Sequence, residues 1–265
     1  MRKPQAGSIS ESRHDLVLRG AGLVGLVLCC WAFLFAPAAR AADLHVRFVP
    51  EPSGPGIIFD FGFTIAGKSP SPLTSVALRF PPGLSYATSA LGMAECNSKR
   101  LTAMGLAGCP VNSRIGRGTA TVRVPFGNGS LKETVDLTLL VGHTHGEAQE
   151  VLYYAVGTVP VISELVFRAE IGTAAAGNAM VTRIPAITTL PGSPNASVVS
   201  LDSRIDPPGL TYTRFSNHRE VHYHPRGMIL PSACPPRGYG FSATFRFENN
   251  TASNASSTVR CQRAG

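Results

Sequence analysis

Residues 57–65 put Ile57, Phe59, Phe61, Phe63 and Ile65 at every second position, with Asp60, Gly62 and Thr64 among the residues between them. Successive side chains of a β-strand point to opposite faces, so this spacing makes one wholly apolar face and one mixed face, as a strand lying over a core requires. The same period recurs along the chain. Leu44, Val46 and Phe48 alternate with His45 and Arg47, and Val76, Leu78 and Phe80 follow. Ala120, Val122 and Val124 alternate with Thr121 and Arg123, and Val135, Leu137, Leu139 and Val141 alternate with Thr134, Asp136, Thr138 and Leu140. Leu165, Phe167, Ala169 and Ile171 continue the pattern, as do Tyr239, Phe241, Ala243, Phe245 and Phe247. Residues 151–156 form a nearly continuous apolar run, and residues 180–189, 198–205 and 219–230 read as further strands.

The breaks between these runs have a physical basis. Proline cannot donate to a strand ladder and glycine reaches positive φ, so Pro50, Pro52 and Pro55, then Pro81-Pro82-Gly83, then Pro191-Gly192 end strands rather than continue them. No long stretch has helical period. About ten to twelve short strands separated by turn signals indicate an all-β fold, an antiparallel β-sandwich, Ig-like or related, in preference to a barrel. A single domain over residues 42–265 is expected, with the Ala/Gly-rich stretch at 172–178 as an alternative boundary between two smaller β domains.

The N-terminus has a different character. Arg2, Lys3, Arg13 and Arg19 precede an apolar run over residues 21–36, and Ala39-Arg40-Ala41 precedes a polar shift at Asp43. This order is that of a signal peptide over residues 1–41 with an A-x-A cleavage site. The run is about 16 residues, short of the roughly 20 that a spanning helix needs, so an uncleaved membrane anchor is the alternative. Leu28 stands where lipoprotein processing at Cys29 would need a small residue. The formal charge of +8 includes five basic leader residues (Arg2, Lys3, Arg13, Arg19, Arg40) and two acidic ones (Glu11, Asp15), so the mature chain carries +5. An excess of this size, with no basic run or basic helix, argues against a nucleic-acid partner and is compatible with anionic envelope polymers.

Cys96, Cys109, Cys234 and Cys261 remain after the leader. An even number in an exported chain favours disulfides. Four cysteines permit three connectivities; Cys96 with Cys109 and Cys234 with Cys261 is preferred, because each pair encloses a local unit. The first encloses a helical turn capped by Asn97 or Ser98 and stopped by Gly105 and Gly108; the second encloses the final hairpin. No C-x-x-C pair supports redox chemistry, and the spacings do not suit zinc. Gly116-Arg117-Gly118 leads into a strand, which offers a phosphate no helix N-terminus, so nucleotide binding is rejected. Lys99, Arg100, Arg114 and Arg117 read as a solvated loop rather than a contact surface for an anionic polymer.

Pro81-Pro82-Gly83-Leu84, Cys96, and Cys109-Pro110 followed by Ser113, Ile115-Gly116 and Gly118-Thr119-Ala120 form a pattern CP-x-x-S-x-I-G-x-G-T-A. With Pro185, Pro191, Asn195-Ala196-Ser197, Cys234 and Cys261 it spans nearly the whole mature chain and resembles a group of secreted proteins of GC-rich actinobacteria. The resemblance implies export, β structure and the two local cysteine pairs. It carries no activity or site residue.

The one cluster of metal-ligand types is Asn217 to Pro225, where His218, Glu220, His222 and His224 would share one face of a strand. The order does not match H-E-x-x-H or its inverse, so a zincin is excluded. His143-Thr144-His145 reads as a hairpin tip. There is no G-x-S-x-G elbow and no S-x-x-K motif. The expected function is therefore that of a noncatalytic secreted or cell-envelope β-sandwich with a structural or surface-binding role, needing no cofactor. Its expected partners are an anionic envelope polymer or another surface protein. The alternative is a metal-assisted secreted hydrolase using His218, His222 and His224.

Overall fold

The computed structural model describes residues 42–50, 56–67, 70–87, 94–158, 163–174, 177–189, 192–206, 212–223, 227–231 and 233–261; the expected leader and His224 lie outside them. Arg40–Gly265 forms one compact unit. In chain order its elements begin with β1 (Ala42–Pro50), β2 (Gly56–Ile65), β3 (Leu73–Arg79) and β4 (Ser85–Ala87). Helix α1 (Ser98–Met104) and two 3₁₀ turns (Gly105–Gly108 and Val111–Ser113) precede β5 (Arg114–Phe126), β6 (Gly129–His145), β7 (Ala148–Gly157), β8 (Ser163–Ala174) and β9 (Gly177–Arg183). The rest are β10 (Ser197–Ile205), β11 (Tyr212–Ser216), β12 (Arg219–Tyr223), β13 (Gly227–Ile229), β14 (Tyr239–Phe247) and β15 (Ala252–Val259).

Thirteen strands form one antiparallel sheet in the order β15-β14-β3-β9-β8-β7-β6-β5-β10-β2-β13-β4, with β1 on the free edge of β2. The sheet folds over on itself. β14 and β2 stand near opposite ends of the hydrogen-bonded path, yet Phe63 and Phe245 meet with ring centroids 5.1 Å apart and Phe59 and Phe241 at 5.8 Å. β1 lies beside β15, so the two ends of the sheet come together. The two layers of the sandwich are thus one continuous sheet, and the inward residues of β2, β3, β6, β7, β8 and β14 share a single core.

Two departures from the sequence reading follow from local chemistry. The strand expected through Thr189 stops at Arg183, before Pro185; residues 184–189 instead form a crossing segment over the core, buried at Ile184 and exposed at Pro185, Ala186 and Thr188, held by Ile184 N–H to Thr74 C=O (2.9 Å) and Ala196 N–H to Ile187 C=O (2.8 Å). The strand expected over 219–230 is two, β12 and β13, which belong to different sheets. The Ala/Gly-rich stretch at 172–178 joins β8 to β9 as a hairpin with Ala174 opposite Gly177.

Both cysteine pairs are bonded as the local pairing requires, Cys96 with Cys109 and Cys234 with Cys261. The first closes a cap on the outer face of β6 and β7. Asn97 Oδ1 accepts the N–H groups of Lys99 (3.0 Å) and Arg100 (3.3 Å), which begins α1, and Gly105 at φ 57° ends it. Leu101 then packs with both cysteines against Leu140, Leu152 and Tyr154. This explains the apolar run at 151–156: β7 is covered on both faces, so alternation is lost there. Complete burial of Leu101, Leu140 and Leu152 is worth up to about 1.5–3 kcal/mol each.

Candidate functional site

The interior is filled unevenly. Around β2, β3 and β14 the rings of Phe59, Phe61, Phe63, Phe80, Phe241 and Phe245 occupy the space between layers. Beyond Tyr153 and Phe167, which stack at 4.7 Å, the inward positions become small or aliphatic: Ala120, Val122 and Val124 on β5, Val135 and Leu137 on β6, Ala155 on β7 and Leu165 on β8. Ile184, Ala186 and Ile187 of the crossing segment lie across from them, and a cavity of about 570 Å³ remains between. That volume is in the range of small-molecule sites. Phe126 and Leu131, on the β5–β6 hairpin, are 63% and 41% exposed and line its mouth together with exposed Ala186 and Thr188.

One charged side chain interrupts the apolar wall. Glu133 continues the inward row Leu131, Glu133, Val135, Leu137 of β6 and is only 6% exposed, and its Oε1 has no hydrogen-bond partner among the described residues. Burial pushes its carboxyl above the ordinary range. Gly157 makes room for it: a β-carbon there would overlap Oε1 and come within 2.8 Å of Ser163 Oγ. Glu164 also borders the cavity through its backbone position but has the outward parity of β8: its carboxylate accepts a hydrogen bond from the Tyr154 hydroxyl on the outer face, beside Gly105, and helps push that phenol up to about 12, after the larger effect of burial. No Lys, Arg or His is among the described residues that line the cavity. Sequence reading passed over Glu133 because the strand was followed only from Thr134. The available signal was its parity, a carboxylate in an otherwise apolar inward row.

The histidine cluster has a different geometry from the expected shared strand face. Asn217 and His218 occupy positive φ (51° and 59°) in a two-residue turn between Ser216 and Arg219, so His218 is off the strand altogether. A two-residue hairpin turn with positive φ at both positions matches the twist of its strands, which is why it displaces a straight run here. Glu220 and His222 do share a face, with His222 Nε2 3.7 Å from Glu220 Oε1 and Nδ1 3.0 Å from Thr213 Oγ1. Among the described residues no three His, Cys, Asp or Glu side chains are grouped to hold a metal ion.

His143 and Thr144 fasten the capped loop. Glu95 Oε2 lies 2.8 Å from His143 Nδ1, and Glu95 Oε1 accepts from Thr144 N–H (3.2 Å) and Oγ1 (3.0 Å). These bonds, that of His143 first, hold the Glu95 carboxyl below its usual range despite partial burial. Arg117 lies apart from Lys99 and Arg100 in function: it lines an open groove on the outer face with His45, Arg47, Asp60, Asp136, Asp202 and Arg204, and Lys99 and Arg100 are not among its walls. Charges in that groove are largely matched. Asp60 bridges Arg204 (2.6 Å) and Arg47 (2.8 Å), and Asp202 meets His45 at 2.6 Å.

No protein-family model, curated protein or solved structure matches the chain.

Proposed function

We propose that this protein is a noncatalytic, extracytoplasmic β-sandwich that binds an apolar or amphiphilic small molecule between its layers. The observation that carries the reading is the cavity of about 570 Å³ with an apolar wall and exposed apolar residues at its mouth. A folded domain gains stability by filling such space, since interiors pack to crystal-like density; a persistent cavity in one half of a well-packed core is the arrangement of a ligand site. The two disulfides favour an oxidising compartment outside the cytoplasm. Among the described residues no helix is long and apolar enough to cross a membrane. The outer charged groove supports an anionic-polymer partner less well, because its three arginines share it with three aspartates, and Asp60 pairs with two of them.

The test is titration of the oxidised mature chain with the fluorescent apolar probe N-phenyl-1-naphthylamine. Saturable binding is expected, and Ala155→Phe, which places a ring in the cavity, is expected to weaken it at least about tenfold while the far-ultraviolet circular dichroism stays that of the parent. Equal binding by a folded Ala155→Phe variant would refute the reading.

A further inference from the structure

We propose that the cavity selects amphiphiles whose head group is a protonated primary amine, and that Glu133 is the residue that receives it. The inference rests on the reading of the cavity as a ligand site and adds the chemistry of the ligand.

Three observations support it. Glu133 is more than nine-tenths buried, lines the cavity, and leaves Oε1 without a partner among the described residues. A β-carbon at Gly157, which pairs with Val135 two residues along β6, would overlap Oε1, so the missing side chain there leaves room for the carboxyl. Among the described lining residues Glu133 is the titratable group with inward parity, and none is basic. The nearest basic residues along the strands, Arg123 and Lys132, are paired with each other in register and have the outward parity of β5 and β6.

Head groups can be ranked on these facts. A fatty carboxylate would place a second negative charge beside Glu133, and like charges in a site of low polarity disfavour one another's ionised form. An alcohol supplies the missing donor but leaves the carboxylate's charge uncompensated. An ammonium supplies both a donor and the opposite charge, and a buried charge is tolerated when it is paired and hydrogen-bonded. With no such head bound, the carboxyl instead holds its proton to higher pH, as its raised pKa indicates. The alkyl chain then lies along Val122, Val135, Leu137 and Ile187.

The experiment is displacement of bound N-phenyl-1-naphthylamine at pH 7 by dodecylamine, dodecanol and dodecanoate. Dodecylamine is expected to displace the probe at a concentration at least about tenfold below dodecanol, with dodecanoate weakest, and Glu133→Gln is expected to bring amine and alcohol within about threefold, each read against the variant's own probe affinity. Equal displacement by the three compounds on the parent protein overturns the head-group assignment whether or not the variant folds. A preference that survives Glu133→Gln overturns the role of Glu133. In both cases the probe still binds and the cavity reading stands; absence of probe binding removes both.

Discussion

The two halves of the core are built on the same sheet and the same inward parity, but one is filled and the other is not. Around Phe63 and Phe245, rings from strands at opposite ends of the sheet interlock across the sandwich. Past the Tyr153–Phe167 stack, Ala120 and Ala155 face the crossing segment 184–189 and leave the space between unfilled. The polar content differs in the same sense. The charged residue of β2, Asp60, has outward parity and two arginine partners, whereas Glu133 points inward with Oε1 unpartnered among the described residues. The difference teaches that strand pattern sets where a core lies, while side-chain size at a few inward positions sets whether it is a packing core or a container.

The contrast can be broken most directly by truncation. Phe245→Ala should cost about 3–5 kcal/mol of unfolding free energy in urea, and Leu78→Ala about 3–5, since both side chains are fully buried among the rings of the core. Leu137→Ala, in the cavity wall, should fall near 2 kcal/mol, because fewer neighbours surround it. Equal costs for Leu78→Ala and Leu137→Ala would mean that the two halves are packed alike.

The outer cap should respond next. Replacing Cys96 and Cys109 together by alanine should cost about 3 kcal/mol by the loop-entropy relation, for a sequence separation of 13. It should also raise binding of a dye for exposed apolar surface, as Leu152 and Tyr154 lose their cover. Unchanged stability on reduction of this bridge would show that the Leu101 packing and the Glu95–His143–Thr144 contacts hold the cap without it.

The smaller effects concern the two carboxylates and have opposite signs. Glu133→Leu should raise stability by about 1–3 kcal/mol at pH 7, because it removes a buried acceptor without a partner while conserving volume. Glu133 keeps its proton to higher pH folded than unfolded, so its contribution favours the fold at low pH and is lost as pH rises through the folded value; Glu133→Leu should abolish that slope. For Asp60, burial acts to raise the pKa, but the hydrogen bonds of Arg204 and Arg47 outweigh it and hold the carboxyl below its ordinary value. Its contribution is therefore present above the unfolded carboxylate pKa and is lost as pH falls through the folded one. Denaturation midpoints of Asp60→Asn and Glu133→Leu should both approach the parent toward pH 3 and part from it in opposite directions toward pH 7, Asp60→Asn below the parent and Glu133→Leu above it.

Much of the framework was legible beforehand. Ile57 to Ile65, Val135 to Val141 and Tyr239 to Phe247 are strands because alternation has one period whichever partner they find. The cysteine pairs follow from short loops that close locally. His218 was misplaced because a hairpin turn is decided by backbone φ at Asn217 and His218, which side-chain alternation does not report. The strand ending at Arg183 rather than Thr189 reflects Pro185, a residue that cannot donate to a ladder, within a run that otherwise looks apolar.

What the sequence determined by itself is the all-β character and the inward face of each long strand, because these depend on neighbours a few residues away, and the two disulfides, because each closes one local unit of 13 or 27 residues. What only the tertiary structure decided is that one sheet supplies both layers, that α1 covers the second face of β7, and that Glu133 lies in an apolar cavity opposite Gly157. Those outcomes depend on which residues from distant strands meet across the core, and packing volume is a property of the meeting, not of any one segment.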